Sequence, residues 1–148
     1  MGRNSSGAGG ARGGTAVARP GTLGTEFTDV GGGVSIRSYG PPVPGGEGTQ
    51  HDIVEIKIDG QHAGRMSYQI DQAGRVEIND TVLSDRFRGR GTVAKFWPRF
   101  ERHVRAIGGK RIIARVVDQA VGTRVWAKVG FKPITNWNGK SQTWEKKL

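Results

Sequence analysis

Apolar and polar residues alternate with a period of two through the middle of this chain, and with a period near 3.6 just after it. Val54, Ile56 and Ile58 alternate with Glu55 and Lys57, and Met66, Tyr68 and Ile70 alternate with Ser67 and Gln69. Such alternation marks half-buried strands. Asp59-Gly60 between the two runs is a hairpin signal, and Asp71 to Gly74 turns the chain into a third run, Arg75 to Leu83, rich in β-branched residues and free of proline. Val93, Phe96, Trp97, Phe100, Val104 and Ile107 then fall at i, i+3, i+4, i+7, i+11 and i+14, one face of an amphipathic helix. Pro98 costs that helix about 3 kcal/mol or a kink, yet the period continues on both sides of it, and Gly108 is a C-terminal stop. Arg111 to Val117 reads as a buried strand, parallel to the one before the helix through a right-handed crossover. Asp118 caps a second helix carrying Val121, Val125 and Val129 and stopped by Gly130. Asn138-Gly139 turns a closing hairpin between Phe131 and Leu148, with Trp137 and Trp144 as its apolar surface. The order predicts an α/β protein with a mixed sheet: an antiparallel meander, then a strand-loop-helix-strand unit.

Upstream the pattern fades. The chain has 25 glycines, concentrated early, and Met1 to Gly33 holds few large apolar residues. Such a stretch buries too little surface to offset its ordering entropy, so residues 1–33 are expected to be a flexible tail or linker and 34–148 the domain. Arg3, Arg12 and Arg19 in an acid-free stretch also suit a transit peptide, although the glycines disfavour an amphipathic helix. Val34 to Arg37 is a short strand, and Gly40 to Gly46 is a Pro/Gly loop that neither a helix nor a central strand accommodates. No eighteen apolar residues run together, so no membrane span is expected. A cytoplasmic location is expected, compatible with the absence of cysteine. The absence of cysteine excludes a disulfide framework, a thiol nucleophile and a cysteine-based zinc site. His51, His62 and His103 lack metal-ligand spacing, so no metal is expected; they read as surface or strand-end residues, with His103 flanking the helix's apolar stripe.

Charge changes this picture. The net charge is +10, and between Arg86 and Arg115 ten lysines and arginines stand against one acid, Glu101. A polyanion is the natural partner, and coenzyme A, RNA and DNA all answer to that description. Arg99, Arg102 and Arg105 read as the helix's solvated face.

Between the third strand and the long helix lies Arg86-Phe87-Arg88-Gly89-Arg90-Gly91-Thr92. A helix N-terminus offers unpaired N–H groups and partial positive charge, and glycines let a ligand approach them, so strand, basic glycine loop and helix together can seat a phosphate. No Gly-Lys-Ser/Thr and no G-x-G-x-x-G is present here. The loop resembles the Arg/Gln-x-x-Gly-x-Gly/Ala motif of the GNAT superfamily of acyl-CoA-dependent N-acetyltransferases. Two registers fit. Arg86-x-x-Gly89-x-Gly91 matches letter for letter, whereas Arg88-x-x-Gly91-x-Val93 brings Phe96, Trp97 and Phe100 onto the buried face and is preferred. Trp126 to Phe131 resembles the family's Tyr-x-x-x-Gly-Phe signature, so the resemblance covers about Val34 to Leu148.

That resemblance implies a GNAT-like fold and an N-acetyltransferase that passes an acetyl group from acetyl-CoA to an amine by direct attack in a ternary complex. It implies cofactor contacts from Arg88, Gly89, Arg90, Gly91, Thr92 and Val93 at the diphosphate, and from Gln119 and Trp126 on the second helix. Backbone groups near Thr81 and Leu83 would serve as an oxyanion site. Glu77 falls at the position of the family's catalytic glutamate, where a carboxylate accepts the amine's proton directly or through water; as a plain strand residue it would face solvent. Asp80 and Glu55 are weaker candidates. Trp126 stands where the family has a tyrosine acid, and its indole N–H does not release a proton near neutrality. Another group or water then protonates the thiolate, or the activity is lost. The acceptor is an unidentified amine on a small molecule, a protein or an RNA. The alternatives are a basic GNAT-like module that binds nucleic acid or protein without catalysis, and a toxin or virion-associated acetyltransferase effector.

Overall fold

The computed structural model describes residues 20–39 and 48–148 throughout, together with the backbone of 8–10, 12–14 and 43–44. Its main sheet begins with β1 (Thr28–Gly31) and β2 (Val34–Ser38). The meander is β3 (Gln50–Ile58), β4 (Gln61–Ile70) and β5 (Arg75–Leu83). After α1 (Thr92–Ala106) come β6 (Arg111–Val116), a second helix, α2 (119–129), and finally β7 (Lys132–Pro133) and β8 (Gln142–Lys147). The strands lie in the order β7-β8-β6-β5-β4-β3-β2-β1, with Val43–Pro44 adding two residues beside β3. Every pairing is antiparallel except β5 with β6, which α1 connects. Ala8–Gly10 and Arg12–Gly14 pair separately.

The period-two residues form the core. Val34, Ile36, Val54, Ile56, Met66, Tyr68 and Val76 are each no more than 1% exposed, and they face α1. Phe96, Trp97, Phe100 and Val104 close the other side, with the Tyr68 ring edge-on to Phe100 at 5.2 Å. α1 runs unbroken through Pro98. Pro98 and Ala94 are both exposed, so the Ala94 carbonyl, which lacks its helical N–H partner, is open to solvent. At the hairpin, Asp59 and Gly60 both have positive φ, 52° and 78°, as the Asp-Gly signal predicts. No described helix is long and apolar enough to cross a membrane.

Three expectations need correction. The ordered domain does not start at Val34: Leu23 is 6% exposed within the core, and β1 pairs with β2. The single leucine and the glycine hairpin at Gly31–Gly33 outweigh the polar composition around them, whereas residues 1–7, 11 and 15–19 of the expected tail lie outside the described residues. Arg99 is not on a solvated face, because its two terminal nitrogens bond the carbonyls of Gly21 (2.7 Å) and Thr22 (2.9 Å) and tie that segment down. His103 does not flank the stripe but is buried within it, accepting the N–H of Leu23 at 2.9 Å.

Among the described residues no helix covers the opposite face of the sheet, where Arg37–Glu55, Arg75–Glu77 and Arg111–Glu145 form ion pairs. Most of the Pro/Gly loop expected between Gly40 and Gly46 lies outside the described residues.

Candidate active site

β5 and β6 pair only from Arg75–Arg111 to Ile78–Ala114. Beyond that point β5 stays with β4 as far as Leu83, β6 stays with β8, and a gap opens between them. A bulge lies at the same place. Ile78 pairs with Tyr68 and Asp80 with Ser67, so Asn79 is an extra residue in β5. An extra residue bends the strand and shifts its alternation by one. Thr81 and Leu83 therefore face α1, opposite Met66 and Gly64, while Asp80 and Val82 face the helix-free side. The close approach requires Gly64, because a Cβ there would sit 1.9 Å from the Val82 carbonyl oxygen.

The turn from β5 into α1 is held by the arginines. Phe87 is buried in it, with the Arg86 and Arg90 guanidinium groups over its ring at 4.6 and 5.3 Å. Arg88 donates from Nε to the Leu83 carbonyl at 3.1 Å and pairs with Asp85 at 3.1 Å. Gly91 is the N-cap of α1 in the left-handed conformation, φ 69°, and provides no side-chain cap. A Cβ on Gly89 or Gly91 would meet nothing within 4 Å, so the space in front of the helix is open. No acid lies in the first turn, and the buried Thr92 hydroxyl has no partner. Uncapped N–H groups, a helix dipole and nearby guanidinium groups give this turn the chemistry to attract an anion.

α2 supplies the opposite wall. The Asp118 side chain accepts from the Ala120 N–H at 3.0 Å, as a cap should. The helix then runs as α over Gln119–Val121, widens to a π turn over Gly122–Trp126 and tightens to 3-10 over Ala127–Val129. Gly122 allows this approach, since a Cβ there would crowd Val116 and Trp144 at 3.1 and 3.2 Å. Trp126 is fixed against Trp97 and Phe131, with ring centroids 5.6 and 5.1 Å away.

Between these walls is a cleft of about 550 Å³. Of the residues singled out in the sequence, Thr81, Leu83, Arg88, Gly89, Gly91, Thr92, Val93 and Trp126 line it. Arg90, Gln119 and Glu77 are not in the lining. Arg90 lies on Phe87, Gln119 is exposed at the start of α2, and Glu77 is on the helix-free face, bonded to Arg75 at 3.0 Å. Glu55 is further away, bonded to Arg37 and His62; burial alone would raise its pKa, but those partners hold the carboxyl below its ordinary range. Val121, Arg124, Val125 and Lys128, not singled out in the sequence as site residues, also line the cleft. Their i, i+3, i+4, i+7 spacing is a helix-face signal, but a helix face does not by itself say that it borders a cleft.

No protein-family model matches the sequence, and neither does any curated protein. Solved structures match it in shape. The GNAT domain of S. lividans PAT is similar over 66% of this chain and 61% of its own length, at 17% identity and a TM-score of 0.57. The PaiA N-acetyltransferase of Thermoplasma acidophilum, solved with coenzyme A, matches 66% of this chain and 61% of its own at 19% identity and TM-score 0.57. A Salmonella typhimurium acetyltransferase that modifies the N-terminal serine of ribosomal protein L7/L12 matches 83% of this chain and 99% of its own at 12% identity and TM-score 0.62. The chain thus spans about three fifths of the length of the first two. Its fold is that of the GNAT acetyltransferases.

Proposed function

We infer that this protein is an acyl-CoA-dependent N-acetyltransferase that uses acetyl-CoA and transfers the acetyl group directly to an amine. The observation that carries this reading is the open, uncapped N-terminus of α1, facing a cleft that leads to the gap between β5 and β6. The residues present fit the donor substrate. N–H groups at the start of α1 suit its diphosphate, with Arg88, Arg124 and Lys128 adding positive charge. The apolar residues Leu83, Val121 and Val125 suit the pantetheine arm. Main-chain N–H groups of β5 beyond the bulge, left without a strand partner on the gap side, suit the thioester oxygen.

Under this reading the amine approaches from the helix-free face. It attacks the thioester carbonyl carbon, the C–S bond breaks with its electron pair on sulfur, and the nitrogen gives up a proton. Glu77, on that face beside the last paired residues, accepts it through water. Trp126 does not act as an acid; it fixes the wall of the cleft.

Calorimetry with acetyl-CoA tests this reading on the wild type, Arg88→Ala and Gly91→Glu. Micromolar binding by the wild type is expected, weakened by the first substitution and abolished by the second, whose carboxylate would occupy the anion site. A wild type that binds no acetyl-CoA refutes it. One observation favours a second reading, a basic binding module without catalysis: the tyrosine position of the signature holds a tryptophan packed into the core. A salt-sensitive complex with tRNA or duplex DNA in the absence of CoA binding would support that reading.

A further inference from the structure

Among the described residues, two buried side-chain oxygens lack a hydrogen-bond partner, those of Thr81 and Thr92, and both residues line the cleft. An unpartnered buried hydroxyl is costly, and valine has almost the shape of threonine, so packing alone gives no reason for a hydroxyl at either position. Thr92 belongs to the anion site at the start of α1. Thr81 does not. It stands in β5 just beyond the bulge, where the pairing with β6 has ended.

The reacting end of the cleft is short of donors. Trp126 lines the cleft from α2, and its indole N–H does not release a proton near neutrality. Of the chain's two tyrosines, Tyr68 is bonded to Asp52 and His103 beneath α1, and Tyr39 follows the end of β2. We propose that the Thr81 hydroxyl is the hydrogen-bond donor to the departing thiolate, an inference that rests on the transferase reading above. The N–H groups freed by the bulge lie in the plane of the sheet and meet the acyl oxygen. The Thr81 side chain stands on the α1 side, from which the thioester arm arrives, and so meets the sulfur. The role requires Oγ1 to turn about χ1 from its buried position into the cleft.

When the amine nitrogen bonds the carbonyl carbon and the C–S bond breaks, the electron pair stays on sulfur and the ammonium proton passes to water. Thr81 keeps its own proton throughout. A thiol with an ordinary pKa of about 8.5 leaves readily as thiolate once that charge receives a good donor, so a hydroxyl takes over what a tyrosine acid would do.

The test needs no acceptor. Wild type, Thr81→Val, Thr81→Ala and Thr81→Ser are saturated with CoA, and the bound thiol is titrated by the ultraviolet absorbance of its thiolate. The bound thiol should titrate about one to two pH units lower in the wild type than in the valine and alanine variants. The serine variant should behave as the wild type. Equal thiol pKa values in the wild type and Thr81→Val would overturn the proposal while leaving CoA binding intact. A wild type that binds no CoA would instead overturn the transferase reading beneath it.

Discussion

Acid should loosen this protein from the inside, through His103. The imidazole is 4% exposed, and its Nδ1 accepts the Leu23 N–H at 2.9 Å, so its one proton is on Nε2. Nε2 donates to the Tyr68 hydroxyl at 2.8 Å, and that hydroxyl donates to Asp52 Oδ2 at 3.0 Å. Ser38 and the Ile53 N–H complete the Asp52 shell. Burial, and secondarily the Arg99 charge, push the His103 pKa down from 6.5 to about 4. Between those values the unfolded chain binds the proton and the folded chain does not. The contribution is therefore complete above about pH 6.5 and lost as pH falls toward 4. At about 1.4 kcal/mol per pH unit, the loss comes to about 3 kcal/mol, a large part of a small domain's stability. Asp52 acts in the opposite direction. Burial raises its pKa despite its hydrogen bonds, so its protonated form is favoured in the folded state and offsets part of the loss at the acid end.

Urea denaturation of the wild type and His103→Asn across about pH 7.5 to 4.5 measures this, since asparagine keeps an acceptor for Leu23 and removes the titrating ring. The wild type should lose stability with a slope approaching about 1.4 kcal/mol per pH unit between about pH 6 and 5. The variant should start lower at neutral pH and decline less steeply. Parallel pH dependences would refute the reasoning, as would a His103 proton resonance titrating near the ordinary histidine value.

Other outcomes follow from single residues. Leu23→Ala should lower stability by about 2–4 kcal/mol, as for a core leucine, and expose the segment before β1 to protease; a surface-like effect below about 0.5 kcal/mol would mean that the segment is not part of the domain. Gly64→Ala should prevent β4 and β5 from pairing beyond the bulge, seen as a large fall in melting temperature, because backbone rather than a flexible side chain occupies the space. Gly91→Ala should cost only about 1–2 kcal/mol, the strain of a left-handed residue, since its Cβ meets nothing. A loss of acetyl-CoA affinity in that variant, with the fold retained, would separate the site from the scaffold in calorimetry.

The elements whose signals are periodic are legible in the sequence. The alternation in β3 and β4 and the spacing of Phe96, Trp97 and Phe100 come from one repeated geometry, and a repeat can be read without knowing what it packs against. What is not legible there depends on partners far away in the chain. The buried state of His103 rests on Leu23, 80 residues earlier, and Arg99 is bonded to carbonyls 77 and 78 residues away. Nothing near either residue announces those contacts. The glycine loop was legible because its chemistry is local, whereas Arg124 and Lys128 join the site only once α2 folds across the gap. A bulge has no composition of its own, so Arg75 to Leu83 read as one uniform strand.

That bulge is where fold and proposed chemistry can be separated most cleanly. If Asn79 instead took a regular paired place in β5, the alternation would turn Asp80 and Val82 toward α1 and Thr81 and Leu83 away from it. Deleting Asn79 would leave Asp80 opposite Ser67 and Thr81 opposite Met66, as now, because both sit one step beyond the extra residue. Side-chain faces are preserved, and only the bend disappears. A straight β5 can keep pairing with β6 past Ile78–Ala114, which closes the gap. The deletion variant should therefore fold with a melting temperature equal to or above that of the wild type, yet bind acetyl-CoA at least about tenfold more weakly, a difference of about 1.4 kcal/mol. Amide exchange in β6 supplies the structural check, since residues just after Ala114 should gain protection. Unchanged affinity with increased protection would mean that the gap is not where the thioester lies, however well the anion site at α1 performs.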